Sequence, residues 1–139
     1  MADTPNPGRY GRQSQQTRQS QQFRQTRHGR LSVVRSAVDG VRIVALHGEI
    51  DHAVKDEFSQ ALIPEDGGPP PRTVVDLSDV TFMDSSGINV FIAAHHTVKD
   101  AQGWLRIAAP RESVLRVIQL IGLDAVIPCH PTLEQARTA

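Results

Sequence analysis

Met83-Asp84-Ser85-Ser86-Gly87 sets an acid, two hydroxyls and a glycine between a β-type run (Val74, Val75, Leu77) and a helix-like run (Ile88, Val90, Phe91, Ile92). Three chemistries suit such a corner. In the first, Asp84 or a serine caps the helix by accepting a backbone N–H, worth about 1 kcal/mol. Capping leaves Gly87 unexplained, because alanine favours a helical position by roughly 0.5–1 kcal/mol. A glycine there implies close approach of something to the backbone. In the second, a serine is a nucleophile on a strand–turn–helix elbow. That elbow reads G-x-S-x-G, whereas the frame on Ser85 is Met-Asp-Ser-Ser-Gly and lacks the first glycine. His95 lies ten residues along the same helix, about 15 Å away at ~1.5 Å per residue, beyond hydrogen-bond reach. His47, His52 and His130 approach only if the fold brings them. In the third, a serine accepts a phosphoryl group, which adds about −1.5 to −2 charges at a helix N-terminus that tolerates anions. A partner packed over the corner would then meet new charge beside Asp84. On chemistry alone a cap and a functional site stand level.

The surrounding pattern predicts the elements that position these groups. Leu31–Val34 and Val41–Leu46 read as strands joined by the turn Asp39-Gly40. Asp51 then caps a helix whose Val54, Phe58, Ala61 and Leu62 share one face. Pro64 and the glycine–proline loop 66–71 end it. Thr73–Leu77 is a third strand, the run after Asp84 a second helix, and Trp104–Ala109 a fourth strand. Pro110 suits the first turn of a third helix with Val114, Leu115, Ile118 and Ile121 on its apolar face and Gly122 as its C-terminal cap. Val126-Ile127 reads as a last short strand, and Thr132 with Gln135 as a capping box for a terminal helix. The order ββαβαβα(βα) describes an α/β fold with a mixed, mostly parallel sheet of four to five strands and about four helices. In such sheets, sites gather beyond the carboxyl ends of the strands. Two loops qualify: Gly48-Glu-Ile-Asp51 and Asp79–Gly87.

Composition narrows the class. The chain has 139 residues, enough for one domain. Its net charge is zero but unevenly spread. Residues 1–30 carry six arginines against the single acid Asp3. They also repeat RQSQQT, RQSQQF and RQTRHG at a spacing that fits no helical face. Residues 1–30 are therefore expected to be a disordered basic tail, and 31–137 the folded domain. No aromatic interleaving or nucleic-acid motif accompanies the arginines, so a nucleic-acid partner is not expected. One cysteine, Cys129, precludes an intramolecular disulfide. No apolar run reaches membrane-span length and no secretory signal is visible. The expectation is a soluble, cytosolic protein without a membrane role.

Gly48-Glu-Ile-Asp51 and, starting 34 residues after Gly48, Phe82-Met-Asp-Ser-Ser-Gly-Ile88 resemble the two signature segments of STAS domains, most closely those of the bacterial anti-sigma factor antagonists. Ser113–Leu123 is similar to that family's final core helix with its terminal Gly-Leu. The likeness spans about residues 31–137. It implies a protein that, unphosphorylated, binds an anti-sigma factor and frees a sigma factor. The anti-sigma factor is itself a serine kinase that ends the complex by phosphorylating the antagonist, and a serine phosphatase resets it. The acceptor position maps to Ser85, with Ser86 in reserve. The partner surface maps to Asp51, Asp84, Ser85, Ser86, Gly87, Ile88 and Asn89, although Asp51 serves equally as a plain N-cap. The resemblance implies a binding module rather than an enzyme. Alternatives are a non-switching STAS scaffold in a signalling assembly and a soluble STAS subunit of a transport system. The family commonly has Leu-Gly where this chain has Ile88-Asn89, and the proline loop and basic tail are additions.

Other residues invite chemistry less. His95 and His96, as helix neighbours, point apart, and His95 continues the apolar series. Cys129-His130 lacks a second pair for a zinc site. Trp104, at the start of a strand, suits packing around the sheet. No phosphate-binding glycine motif occurs. Neither a metal nor a cofactor is expected.

Overall fold

The computed structural model describes residues 24–28, 31–64 and 68–139. Six strands lie in one sheet in sequence order. They are β1 (Arg24–His28), β2 (Leu31–Val38), β3 (Val41–Ile50), β4 (Arg72–Met83), β5 (Trp104–Ala108) and β6 (Cys129–His130). The helices are α1 (Lys55–Leu62), α2 (Ser85–Asp100), α3 (Glu112–Ile121) and α4 (Leu133–Thr138). The first three strands pair antiparallel and the last four parallel.

The β2–β3 hairpin turns at Asp39-Gly40, as its sequence predicts. Both residues have positive φ, 53° and 79°, the geometry of a two-residue turn that matches strand twist. Each later connection steps one strand further in the same direction. Right-handed crossovers then place α1, α2 and α3 on one face of the sheet. Their buried residues form one cluster with it: Phe58 and Leu62 of α1, Ile88 and Phe91 of α2, and Val114 and Ile118 of α3 pack with Val44, Leu46, Val75 and Ile107. Phe58 meets Phe91 edge-on, with ring centroids 5.1 Å apart. The opposite face is covered by α4, whose Ala136 and Leu133 join Val41, Ile43, Val74 and Trp104. The Arg106 guanidinium lies 3.7 Å from the Trp104 ring and donates to the Ala136 carbonyl at 3.0 Å, which fastens α4 to β5.

Three expectations need correction. The basic tail was expected to be structureless through residue 30, yet Arg24–His28 adds a strand to the edge of the sheet, with Thr26 opposite Val33. A backbone ladder suffices where an edge strand has a neighbour to pair with, whatever its apolar content. Residues 1–23 lie outside the described residues. The last strand is Cys129–His130, not Val126-Ile127. Gly122, at φ 85°, ends α3 in the left-handed region, and Leu123–Ala125 follow as a 3-10 turn. Ile127 then points into the core while Val126 stays exposed, so that apolar pair anchors a turn. Finally, α3 begins at Glu112, with Arg111 at the N-cap and Pro110 just before it. Its face is narrower than expected: Val114 and Ile118 are buried, but Ile121 is exposed where the helix stops.

Candidate functional site

The corner is built by two parallel neighbours. Ile50 at the end of β3 stands opposite Met83 at the end of β4, about 4.8 Å away at the usual strand spacing. Asp51 and Asp84 therefore leave the sheet side by side, and the Asp84 N–H donates to the Ile50 carbonyl at 3.1 Å. The two loops that topology could place only on one edge are thus in contact.

Both strands overhang the sheet here, because β4 pairs with β5 only from Arg72 to Asp76. Register shifts between Ala45 and His47 and between Gly48 and Glu49 bend the overhang. Gly48 has φ 119°, a conformation that favours glycine. This explains why the first signature segment begins with that residue. The Thr81 hydroxyl donates to the Gly48 carbonyl at 3.3 Å. His47 Nδ1 lies 2.9 Å from an Asp79 oxygen. Arg111 Nη2 is 3.8 Å from the other Asp79 oxygen, and its Nε donates to the Ser78 carbonyl at 2.9 Å. The start of α3 thus braces the overhang that carries the serines.

Asp84 is the cap. Its backbone is extended, its Oδ1 accepts from the Ser86 N–H at 2.8 Å, and its carbonyl accepts from Gly87 and Ile88 at 3.1 and 3.4 Å. Neither serine hydroxyl belongs to this cap. Ser85, the first residue of α2, is exposed, and Ser86 is half-buried. Asp51 plays the matching part on the other loop: its Oδ1 accepts from the Ala53 N–H at 3.0 Å and caps the 3-10 turn His52–Val54 that leads into α1.

Gly87 is buried. A Cβ there would stand 2.6 Å from Met83 Cγ and 2.9 Å from Ile50 Cγ2. The close approach that the sequence implies is real, but it comes from inside the fold. Ile88 is likewise core. Asp84, Ser85, Ser86 and Asn89 keep solvent access. Ser85 and Asn89 start an exposed strip of α2 that continues through Ile92, 37% exposed, to His96. Phe82, on the overhang opposite Glu49, is 47% exposed. Sequence reading missed Phe82 and Ile92 as surface residues, because apolar runs suggest burial. The signal was their offset: Ile92 lies seven residues from Ser85, on the same helical side.

Asp51 and Asp84 each bring a carboxylate to the corner, Glu49 stands opposite Phe82 just before it, and the first turn of α2 has no basic residue. Among the described residues no histidine hydrogen-bonds either serine hydroxyl, and no three His, Cys, Asp or Glu side chains gather as metal ligands. His95, further along α2, has its pKa lowered by burial, by His96 and by Lys99. No helix among the described residues is long and apolar enough to cross a membrane.

Comparison with known proteins adds four likenesses. A family model described as STAS domain matches residues 32–136. The anti-sigma-F factor antagonist RsfB of Mycobacterium tuberculosis is 31% identical over 72% of this chain and 81% of its own length. An anti-sigma F factor antagonist of Paenibacillus polymyxa is 27% identical over 71% of this chain and 86% of its own. The crystal structure of an anti-sigma factor antagonist from Mycobacterium paratuberculosis superposes with a TM-score of 0.69, at 32% identity, covering 76% of this chain and 90% of that one.

Proposed function

The chain belongs to the STAS domain family, and from that premise we propose that it is an anti-sigma factor antagonist switched by phosphorylation of Ser85. Unphosphorylated, it binds an anti-sigma factor and frees a sigma factor. The anti-sigma factor acts as an ATP-dependent serine kinase, transferring the γ-phosphoryl group to Ser85 Oγ with release of ADP and the hydroxyl proton. A serine phosphatase hydrolyses the phosphoester and resets the switch. Catalysis belongs to the partners, in the cytoplasm, and this chain supplies the docking surface and the acceptor.

One observation carries the reading: Ser85 is exposed at the start of α2, while the Asp84 side chain does the capping. A cap needs no second hydroxyl there. The same geometry makes the switch local. A phosphate on Ser85 finds the Ser86, Gly87 and Ile88 N–H groups already bonded to Asp84. It also finds no basic residue in the first turn. The new charge is therefore left facing outward beside two carboxylates. The fold tolerates it with help from the helix dipole, whereas a packed partner does not. A loss of ~3–4 kcal/mol would lower affinity by two to three decades. Asp84, Ser85, Ser86 and Asn89 are the accessible members of the proposed surface; Gly87 and Ile88 shape it from beneath. Asp51 orients the neighbouring loop.

Site-resolved mass spectrometry of the protein from its own host, with and without phosphatase, tests the acceptor. The expected result is a phosphatase-sensitive phosphoryl group on Ser85. In binding assays with the cognate anti-sigma factor, Ser85→Ala should bind like the unmodified protein and Ser85→Glu at least tenfold more weakly. Phosphate on neither Ser85 nor Ser86 under any growth condition would leave a non-switching binding module.

A further inference from the structure

The corner at Ser85 stands at the carboxyl ends of β3 and β4. Further along the same edge, beyond the carboxyl ends of β5 and β6, lies a cavity of about 510 Å³. That size falls within the roughly 300–1,000 Å³ of small-ligand sites, and the location is where open α/β sheets bind ligands. The cavity shares no residue with the serine corner.

Its lining is mixed, with Pro110, Leu115, Pro128 and Pro131 apolar and Gln119, Asp124, Cys129 and His130 polar or titratable. Pro110 leads into α3, Leu115 comes from α3 itself, and Pro128 and Pro131 flank β6. Among its lining residues Asp124 is the one with a formal charge, and no lysine or arginine is present. An anion in this cavity would face a carboxylate with no cation to offset it, so phosphates, nucleotides and fatty acids are poor matches. Burial and the Asp124 carboxylate push the Cys129 thiol up to about 11, which places that negative charge close to the cavity wall. His130 also lines the cavity. Its Nε2 is sealed from solvent without a hydrogen-bond partner among the described residues. That atom has no accessible surface, so it faces the fold rather than the cavity and offers a ligand no hydrogen bond.

A peptide strand is a worse fit than a compact ligand. Pro128 and Pro131 bring no N–H to the edge of β6, and β6 is only two residues long, so it offers a peptide strand little ladder to join. From these features we propose that the cavity between α3 and β6 binds a small amphiphilic amine, with its apolar body against Pro110, Leu115, Pro128 and Pro131 and its ammonium towards Asp124.

Tryptamine is a suitable probe and indole-3-acetate its anionic counterpart of similar shape. Titrated into the full chain, tryptamine should give saturable amide shifts at Leu115, Gln119, Asp124 and Cys129 in two-dimensional NMR spectra. Asp124→Asn should weaken that binding about fivefold, the span of a partly exposed ion pair, with the rest of the spectrum unchanged. Alkylation of Cys129, the single cysteine of the chain, should slow at saturating tryptamine. No saturable shift up to about 10 mM, shifts that map elsewhere, or equal binding of indole-3-acetate would overturn the assignment.

Discussion

Gly87 shows how one residue is constrained from within. A methyl group there would press on Met83 and Ile50 side chains, and overpacking of this kind costs about 1–3 kcal/mol. Better helix propensity returns up to about 1 kcal/mol. Gly87→Ala should therefore lower stability by about 1–2 kcal/mol, read as a lower urea midpoint at unchanged slope. His95 is constrained electrically. Burial, His96 and Lys99 hold its folded-state pKa below the ordinary 6.5. The unfolded chain then binds more protons than the folded one between the lowered value and 6.5, so stability falls as pH drops through that window. Above it the contribution is flat. His95→Gln should reduce the loss of urea midpoint between pH 7.5 and pH 5 relative to the parent protein. Both effects escape sequence reading, since neither Met83 nor His96 declares which way it points.

Among the elements, α1 depends on a side chain from β3. Arg42 donates to the Leu62 and Ile63 carbonyls at 3.0 and 2.9 Å, and to the Thr73 hydroxyl at 3.2 and 3.0 Å. It thus closes the C-terminus of a short helix that Pro64 ends and ties it to β4. Arg42→Ala leaves those carbonyls and the buried Thr73 short of donors, and should cost about 1–3 kcal/mol. Amide exchange in α1 should accelerate more than in α2, because α1 loses its anchor while α2 keeps the Asp84 cap. A uniform change in exchange would show that Arg42 supports the sheet rather than the helix. The apolar face of α1 was legible in Phe58, Ala61 and Leu62, all buried, as is Val54 in the turn before it. Arg42 was not, because its partners lie up to 31 residues away.

At the scale of the molecule, the family match begins at residue 32, after β1. We propose that residues 31–137 form the partner-binding domain and that the preceding segment is an appendage to it. β1, the five-residue edge strand, pairs along β2; without it the eight residues of β2 would form the edge, and a longer uncovered edge strand invites pairing between chains more readily. A chain starting at Leu31 should stay folded and keep partner affinity. It should melt roughly 5 °C lower and form dimers at concentrations where the full chain is monomeric, as light scattering would show. Unchanged association would mean that β2 guards its own edge.

Local order set much of this protein in advance. Apolar spacing marks α1 and the interior strands, Asp39-Gly40 marks the hairpin, and Asp-Ser-Ser-Gly marks the turn into α2, because each depends on neighbours in the chain. Tertiary structure decided the rest: that Asp84 rather than a serine caps α2, that Gly87 yields space to Met83 and Ile50, and that Ile50 and Met83 bring two signature segments together. Those outcomes depend on strand register between residues about thirty apart, and register is a property of packed faces that no single segment contains.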